Sequence, residues 1–165
     1  MPSYKDISSF SSWSKEDKDL FTVAVIKGLI MDTVRNANSG HTGGPMSSTD
    51  FTYILFSKYL NFDPDDDKWF NRDRFVLSAG HESALLYTLL TLLGWLNIDD
   101  IQNFRQLHSK TPGHPEVTIK GVEATTGPLG QGVAMGIGMA VAESKLRNIF
   151  SDDSDANPEP IDHFN

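Results

Sequence analysis

An α/β fold dominated by helix is what the sequence predicts, and three observations carry that prediction. The run Phe75-Val76-Leu77, between Arg74 and Ser78, is short and wholly apolar, as a strand buried on both faces is. Ala79-Gly80-His81 follows at once and leads into helix-forming residues from Glu82 to Leu93, closed by Gly94. The flanking segments show helical periodicity but hardly another strand, although an α/β domain needs several in parallel. The sheet is therefore expected to be incomplete in this chain.

In chain order, residues 1–13 form a polar, Ser-rich N-terminal segment. Ser14, with Asp17 three positions on, reads as a variant capping box opening a helix to about Arg35. Leu20, Val23, Ala24, Met31 and Val34 share one face of it, and Phe21, Val25 and Leu29 the other, which predicts burial over much of the circumference. The glycine-rich stretch from Asn36 to Pro45 is a loop holding His41, and a lone loop histidine is by itself more often surface decoration than a catalytic group. Ser47, Ser48 or Thr49 is expected to cap a second helix reaching about Leu60. Asp63, Asp65, Asp66 and Asp67 then make an acidic connector, without the glycine hinge or terminal glutamate of a calcium loop.

After the unit at 75–94, Asp99 to Gln106 reads as a short amphipathic helix, with His108 structural or exposed beyond it. Val122 to Thr125 reads as a second strand, in which Glu123 needs a partner. From Gly132 to Phe150 a helix carries Gly132, Gly136 and Ala140 on one stripe and Ala134, Gly138 and Ala142 on the next. Each interior glycine costs ~1 kcal/mol against alanine, so a second backbone or a ligand is expected to approach closely. Residues 151–165 are acidic and aperiodic and read as a connector, in which His163 has no supporting context.

Composition bounds the function. A chain of 165 residues with 39% hydrophobic content fits one globular domain with a real core. A formal charge of -8 and only 14 scattered Lys and Arg argue against a nucleic-acid surface. Zero cysteines exclude disulfides and thiolate metal sites. The start MPSYKDISSF has no signal-type apolar stretch, and Val133 to Ala142 falls short of the ~20 residues of a membrane span, so a soluble, cytoplasmic protein is expected.

Chemistry concentrates between Lys110 and Gly138. His114 stands between Gly113 and Pro115, with Pro112 close behind, so the backbone on both sides of the ring is restricted. Gly127-Pro128-Leu129-Gly130-Gln131-Gly132 then feeds the small-residue helix, either as a tight turn before a crowded helix or as a loop contacting a ligand. Gly130, Gly132 and Gly136 resemble a dinucleotide fingerprint but lack a strong apolar strand before them. His81 has the more informative position, because strand ends and helix starts of open α/β sheets collect ligands, and helix N-termini favour anions such as phosphate.

From about Leu20 to Phe150 the sequence resembles the N-terminal part of transketolase. Four blocks in the family's order carry the resemblance: Ser39-Gly40-His41; Trp69 to Ser78 with Gly80-His81; Phe104-Arg105-Gln106 leading to Lys110 through Glu116; and Gly121-Val122-Glu123 through Gly132. Thr42 stands where the family usually has proline.

The resemblance implies the helix-rich N-terminal part of a parallel-sheet thiamine-diphosphate-binding domain at residues 14–150. It implies an enzyme moving a two-carbon ketol unit from a ketose phosphate to an aldose phosphate. His81 is then the cofactor-binding histidine near the diphosphate, and Gly127, Pro128 and Leu129 line the cofactor's rings. His41 and His114 are catalytic, facing thiazolium and substrate hydroxyls. The metal-holding Gly-Asp-Gly motif (for Mg or Ca) and the activating glutamate belong to later parts of the family's chain. The resemblance thus implies an N-terminal fragment, inactive alone, of a homodimeric enzyme that needs its remaining domains. Dihydroxyacetone synthase and a non-catalytic regulatory fragment are the competing expectations.

Overall fold

The computed structural model describes residues 6–150, and its architecture starts from a helix with no solvent face. In Ser83–Leu92 (α3), every residue from Ser83 to Leu90 is buried. Such a helix must lie at the centre of a bundle. Its polar side chains are accordingly satisfied, with Thr88 and Thr91 hydroxyls donating to the carbonyls of Ala84 and Tyr87 at 2.8 Å. Lys15–Ala37 (α1), Gly43–Ile54 (α2) and Ile98–Gln102 (α4) pack around it, while Gln131–Phe150 (α5) follows the irregular stretch 103–130. Ile26, Ile30, Leu85, Leu90, Ile101 and Phe104 close the core between these helices.

Ser14 caps α1 as expected, its hydroxyl accepting the Asp17 N–H at 3.1 Å. The helix buries only Ile26, Ile30, Thr33 and Val34. Leu20 and Met31 are exposed, which corrects the expectation of burial nearly all round; α2, α3 and α4 cover one side of α1. Before it, Ile7–Ser12 forms a 3₁₀ turn, and Phe10 meets Phe21 tilted while Trp13 meets it edge-on.

Helix α2 begins at Gly43, ahead of the expected Ser47–Thr49, and has no side-chain cap. Pro45 makes this possible, because its missing N–H falls in the first turn, where no intrahelical acceptor exists. A π-helical turn, Leu55–Tyr59, carries the chain on to Leu60. Helix α4 ends at Gln102 and not near Gln106, and Arg105 and His108 beyond it have left-handed φ of 61° and 62°.

No strand forms among the described residues. The segment 75–77 has its backbone taken up piecemeal: the Thr126 hydroxyl donates to the Leu77 carbonyl at 2.7 Å, and just upstream the Asp73 N–H donates to the Asn61 carbonyl at 2.8 Å. Val122–Thr125 likewise has no ladder, yet Glu123 has the partner its burial demands. Arg72 grips it through two parallel bonds of 2.8 Å, both side chains being about one-seventh exposed or less. The helix-rich part of the expected α/β domain is therefore present without strands among the described residues.

Helix α5 is seated by its first turn. A Cβ on Gly132 would lie 2.5 Å from Ser78 Cα, and the Val133 N–H donates to Ser78 Oγ at 3.1 Å. The close approach expected of the small-residue stripe holds there and not at Gly136 or Gly138, where the space is open. Val133, Ile137 and Val141 are exposed, and an apolar groove of about 710 Å³ lies between α5 and Phe51, Leu55 and Phe75. The expected connector at 151–165, with His163, lies outside the described residues.

Two outcomes follow for stability. Arg72→Met strands the largely buried Glu123 carboxylate and should cost about 3 kcal/mol in urea unfolding, whereas Arg72→Met with Glu123→Leu should recover most of it. Burial first, and the Glu116 carboxylate second, push the Tyr87 phenol above the ordinary tyrosine range. The folded state therefore keeps that proton after the unfolded chain has lost it, so stability should fall as pH climbs past ~10, the unfolded value. A thermal-melt series across that pH range should show a shallower alkaline decline in Tyr87→Phe.

Candidate active site

Four segments meet where α3 begins. The chain reaches it through a 3₁₀ turn, Gly80–Glu82, that holds His81 half-buried. Gly80 is required here, because a Cβ would sit 2.7 Å from the Thr126 carbonyl oxygen. The backbone of Thr126 and Gly127 is thereby laid beside Gly80 and His81.

His41 comes from the loop between α1 and α2 and meets His81 edge-on, the ring centroids 4.9 Å apart at 64°. Its position traces to the residues before it. Asn38 ends α1 in the left-handed conformation, and Gly40, with φ of 132°, rests against Val34 and the edge of the Phe104 ring. After His41, the absent side chain of Gly44 leaves room for the Glu82 carboxylate over the start of α2.

His114 is held by α3 from the other side. Ser83 Oγ donates to the Gly113 carbonyl at 2.7 Å, and the Tyr87 hydroxyl donates to the His114 carbonyl at 3.2 Å. The buried Pro115 accepts the Thr126 N–H at 3.3 Å, and the Thr125 hydroxyl accepts the Val117 N–H at 3.0 Å. These bonds bring Gly127 to the imidazole: the Cβ that glycine lacks would be 3.8 Å from the His114 ring. Pro128 and Leu129 continue from it at the surface, Leu129 being 75% exposed.

The structure thus pairs His41 with His81 directly and His114 with Gly127 directly, and joins the pairs through the Gly80–Thr126 contact. His41 and His114 are exposed, so both rings are open to a ligand. His108 is exposed too. Among the described residues no cluster of three or more His, Asp or Glu side chains is placed to hold a metal ion. No strand among them precedes Gly130, Gly132 and Gly136, so the dinucleotide fingerprint lacks its frame.

The sequence reading missed Ser83 and Tyr87 as the residues that hold the His114 loop. The available signal was their i,i+4 spacing, which puts two hydroxyls on one face of a mostly apolar helix. It also missed the Gly44–Glu82 contact, for which no local pattern exists.

The family described as "Transketolase, thiamine diphosphate binding domain" matches residues 18–165. The transketolase of Bacillus subtilis is 52% identical over 145 residues, which are 87% of this chain and 21% of that protein. Among solved structures, the transketolase of Leishmania mexicana superposes with a TM-score of 0.81 at 42% identity, covering 86% of this chain and 21% of that one. A Pichia stipitis transketolase in complex with sedoheptulose-7-phosphate gives 0.79 at 48% identity, covering 81% and 20%. The chain spans about a fifth of the length of these relatives. It belongs to the transketolase family, matching the N-terminal part of its members in their thiamine diphosphate binding domain.

Proposed function

We propose that this chain works as part of a transketolase, transferring a two-carbon ketol unit from a ketose phosphate to an aldose phosphate. Residues 14–150 form the N-terminal part of its diphosphate-binding domain, residues 1–13 precede it, and residues 151–165 connect it to further domains. The observation that carries the reading is the His41–His81 ring contact at the foot of a buried helix, joined by Gly80 and Thr126 to Gly127 and His114. Solved Pichia stipitis relatives bound to sedoheptulose-7-phosphate and xylulose-5-phosphate support the substrate class.

The residues present fit thiamine diphosphate. His81 stands at the entry to the ten-residue α3, where an imidazole and the helix's N-terminal field both favour an anionic diphosphate. Gly127 brings no side chain over the His114 ring, and exposed Leu129 offers apolar surface that a flat ring would bury. When bound, the cofactor supplies the electron sink for cleaving and remaking the carbon–carbon bond next to a carbonyl.

His41 and His114 handle the protons. Breaking and forming that bond requires protons to leave and return to sugar hydroxyls, and an imidazole, with one nitrogen that can donate a proton and one that can accept it, serves both directions. His81 holds the diphosphate and braces His41 by edge contact. The divalent metal, magnesium or calcium, is held by residues outside this chain, and the complete protein is a cytoplasmic homodimer of the pentose phosphate pathway.

Purified residues 1–165 should show no ketol transfer alone and regain it when the remaining transketolase domains are supplied. In the complemented enzyme His114→Ala should lower kcat by about 10²- to 10⁴-fold, and His81→Ala should chiefly weaken cofactor binding, read by titration with thiamine diphosphate. Activity that survives both substitutions would leave a non-catalytic role for this chain.

A further inference from the structure

Between the loops of His41 and His114 lies a residue to which neither motif assigns a role. Arg105 follows α4 with a left-handed φ of 61°. A bulky non-glycine side chain adopts that conformation only where its surroundings over-determine it, and such residues gather at functional sites.

The surroundings of Arg105 do over-determine it. Its N–H donates to the Thr111 carbonyl at 2.9 Å, and Thr111 is fully buried with its own hydroxyl donating to the Asp100 carbonyl at 2.6 Å. The guanidinium lies over the Phe104 ring, 5.6 Å from its centroid. From there it reaches both loops. Nη1 donates to Ser39 Oγ at 2.8 Å, two residues before His41. Nε and the guanidinium carbon lie under Gly113, the residue before His114, where a Cβ would be only 2.9 Å from Nε.

Phe104 completes the clamp. Its ring is buried, packs on Tyr87, and touches Gly40, the residue before His41. The dipeptide Phe104-Arg105 thus contacts the chain on the N-terminal side of both histidines at once. A planar guanidinium suits this place, since it can stack on one group and hydrogen-bond to another in fixed directions. Lysine keeps the charge but not the plane.

We propose that Arg105 is a positioning residue that sets the separation of His41 and His114 by spanning Ser39 and Gly113. It acts by fixing the two loops relative to each other. This rests on the reading of His41 and His114 as the proton-handling pair.

The test uses two readouts so that the two ideas fail separately. On the full 165-residue chain, the imidazole carbon–proton NMR signals of His41 and His114 should both shift in Arg105→Met and in Arg105→Lys, while that of His108 stays in place. In the enzyme complemented with the remaining domains, both variants should lower kcat on the order of 10²-fold, as a displacement of about 1 Å does, with KM changed much less. Gly113→Ala, which pushes the guanidinium aside, should do the same, and combining it with Arg105→Met should add little, because both break one contact. Additive losses, or His41 and His114 signals unmoved in Arg105→Lys, overturn the proposal. Absence of ketol transfer in the complemented wild type overturns the functional reading and leaves the NMR result to judge the clamp.

Discussion

Two hydroxyls on a helix with no solvent side hold this site together. Ser83 and Tyr87, one turn apart on α3, donate to consecutive carbonyls, Gly113 and His114. The loop they hold is otherwise irregular, so it has no ladder or helix of its own to fix the ring. Both bonds are partly buried, and losing either donor would cost about 1 kcal/mol. Because α3 is close-packed on every face, it cannot slide to compensate. The same helix opens with the turn carrying His81, so one rigid body positions two of the three imidazoles.

Much of this was legible in the sequence, and the parts that were not share a cause. The Ser14 cap, the helix from Ser83 and the helix to Phe150 are local signals, and they appear close to where residue type and spacing put them. His81 at the junction of an apolar run and a helix is likewise a local inference. The apolar run at 75–77 predicts a strand, but a strand needs partners that the segment itself does not contain. A strand is defined by its neighbours, and Leu77 gives its carbonyl to a threonine side chain 49 residues away in place of a ladder. Glu123 shows the reverse case. Its type and burial demanded a partner, but only folding names Arg72, 51 residues earlier.

The error on α1 has the same origin. Apolar residues at Leu20 and Met31 fit a buried helix by count, yet periodicity cannot tell which faces acquire neighbours. On α5 the exposed Val133 and Ile137 line the groove beside Phe51 and Leu55, and exposed Val141 follows one turn on. Contiguous apolar surface of that kind marks a face that meets another body. On the proposed reading, that body is the remainder of the domain whose strands are absent among the described residues.

The arrangement of rigid and irregular parts explains why glycines cluster where they do. Gly40 lies on Phe104, Gly80 on Thr126 and Gly113 on Arg105, each so close that a methyl group would displace its neighbour. None of these contacts grips; each only allows an approach. Direction comes from the hydrogen bonds next to them, Arg105 to Ser39, Thr126 to Leu77 and Ser83 to Gly113. A loop placed by close approach alone could slide along its neighbour, and one placed by a single bond could pivot about it. Combining one of each at every loop removes both freedoms, which is the order that the proposed proton transfer between fixed imidazoles and a mobile sugar requires.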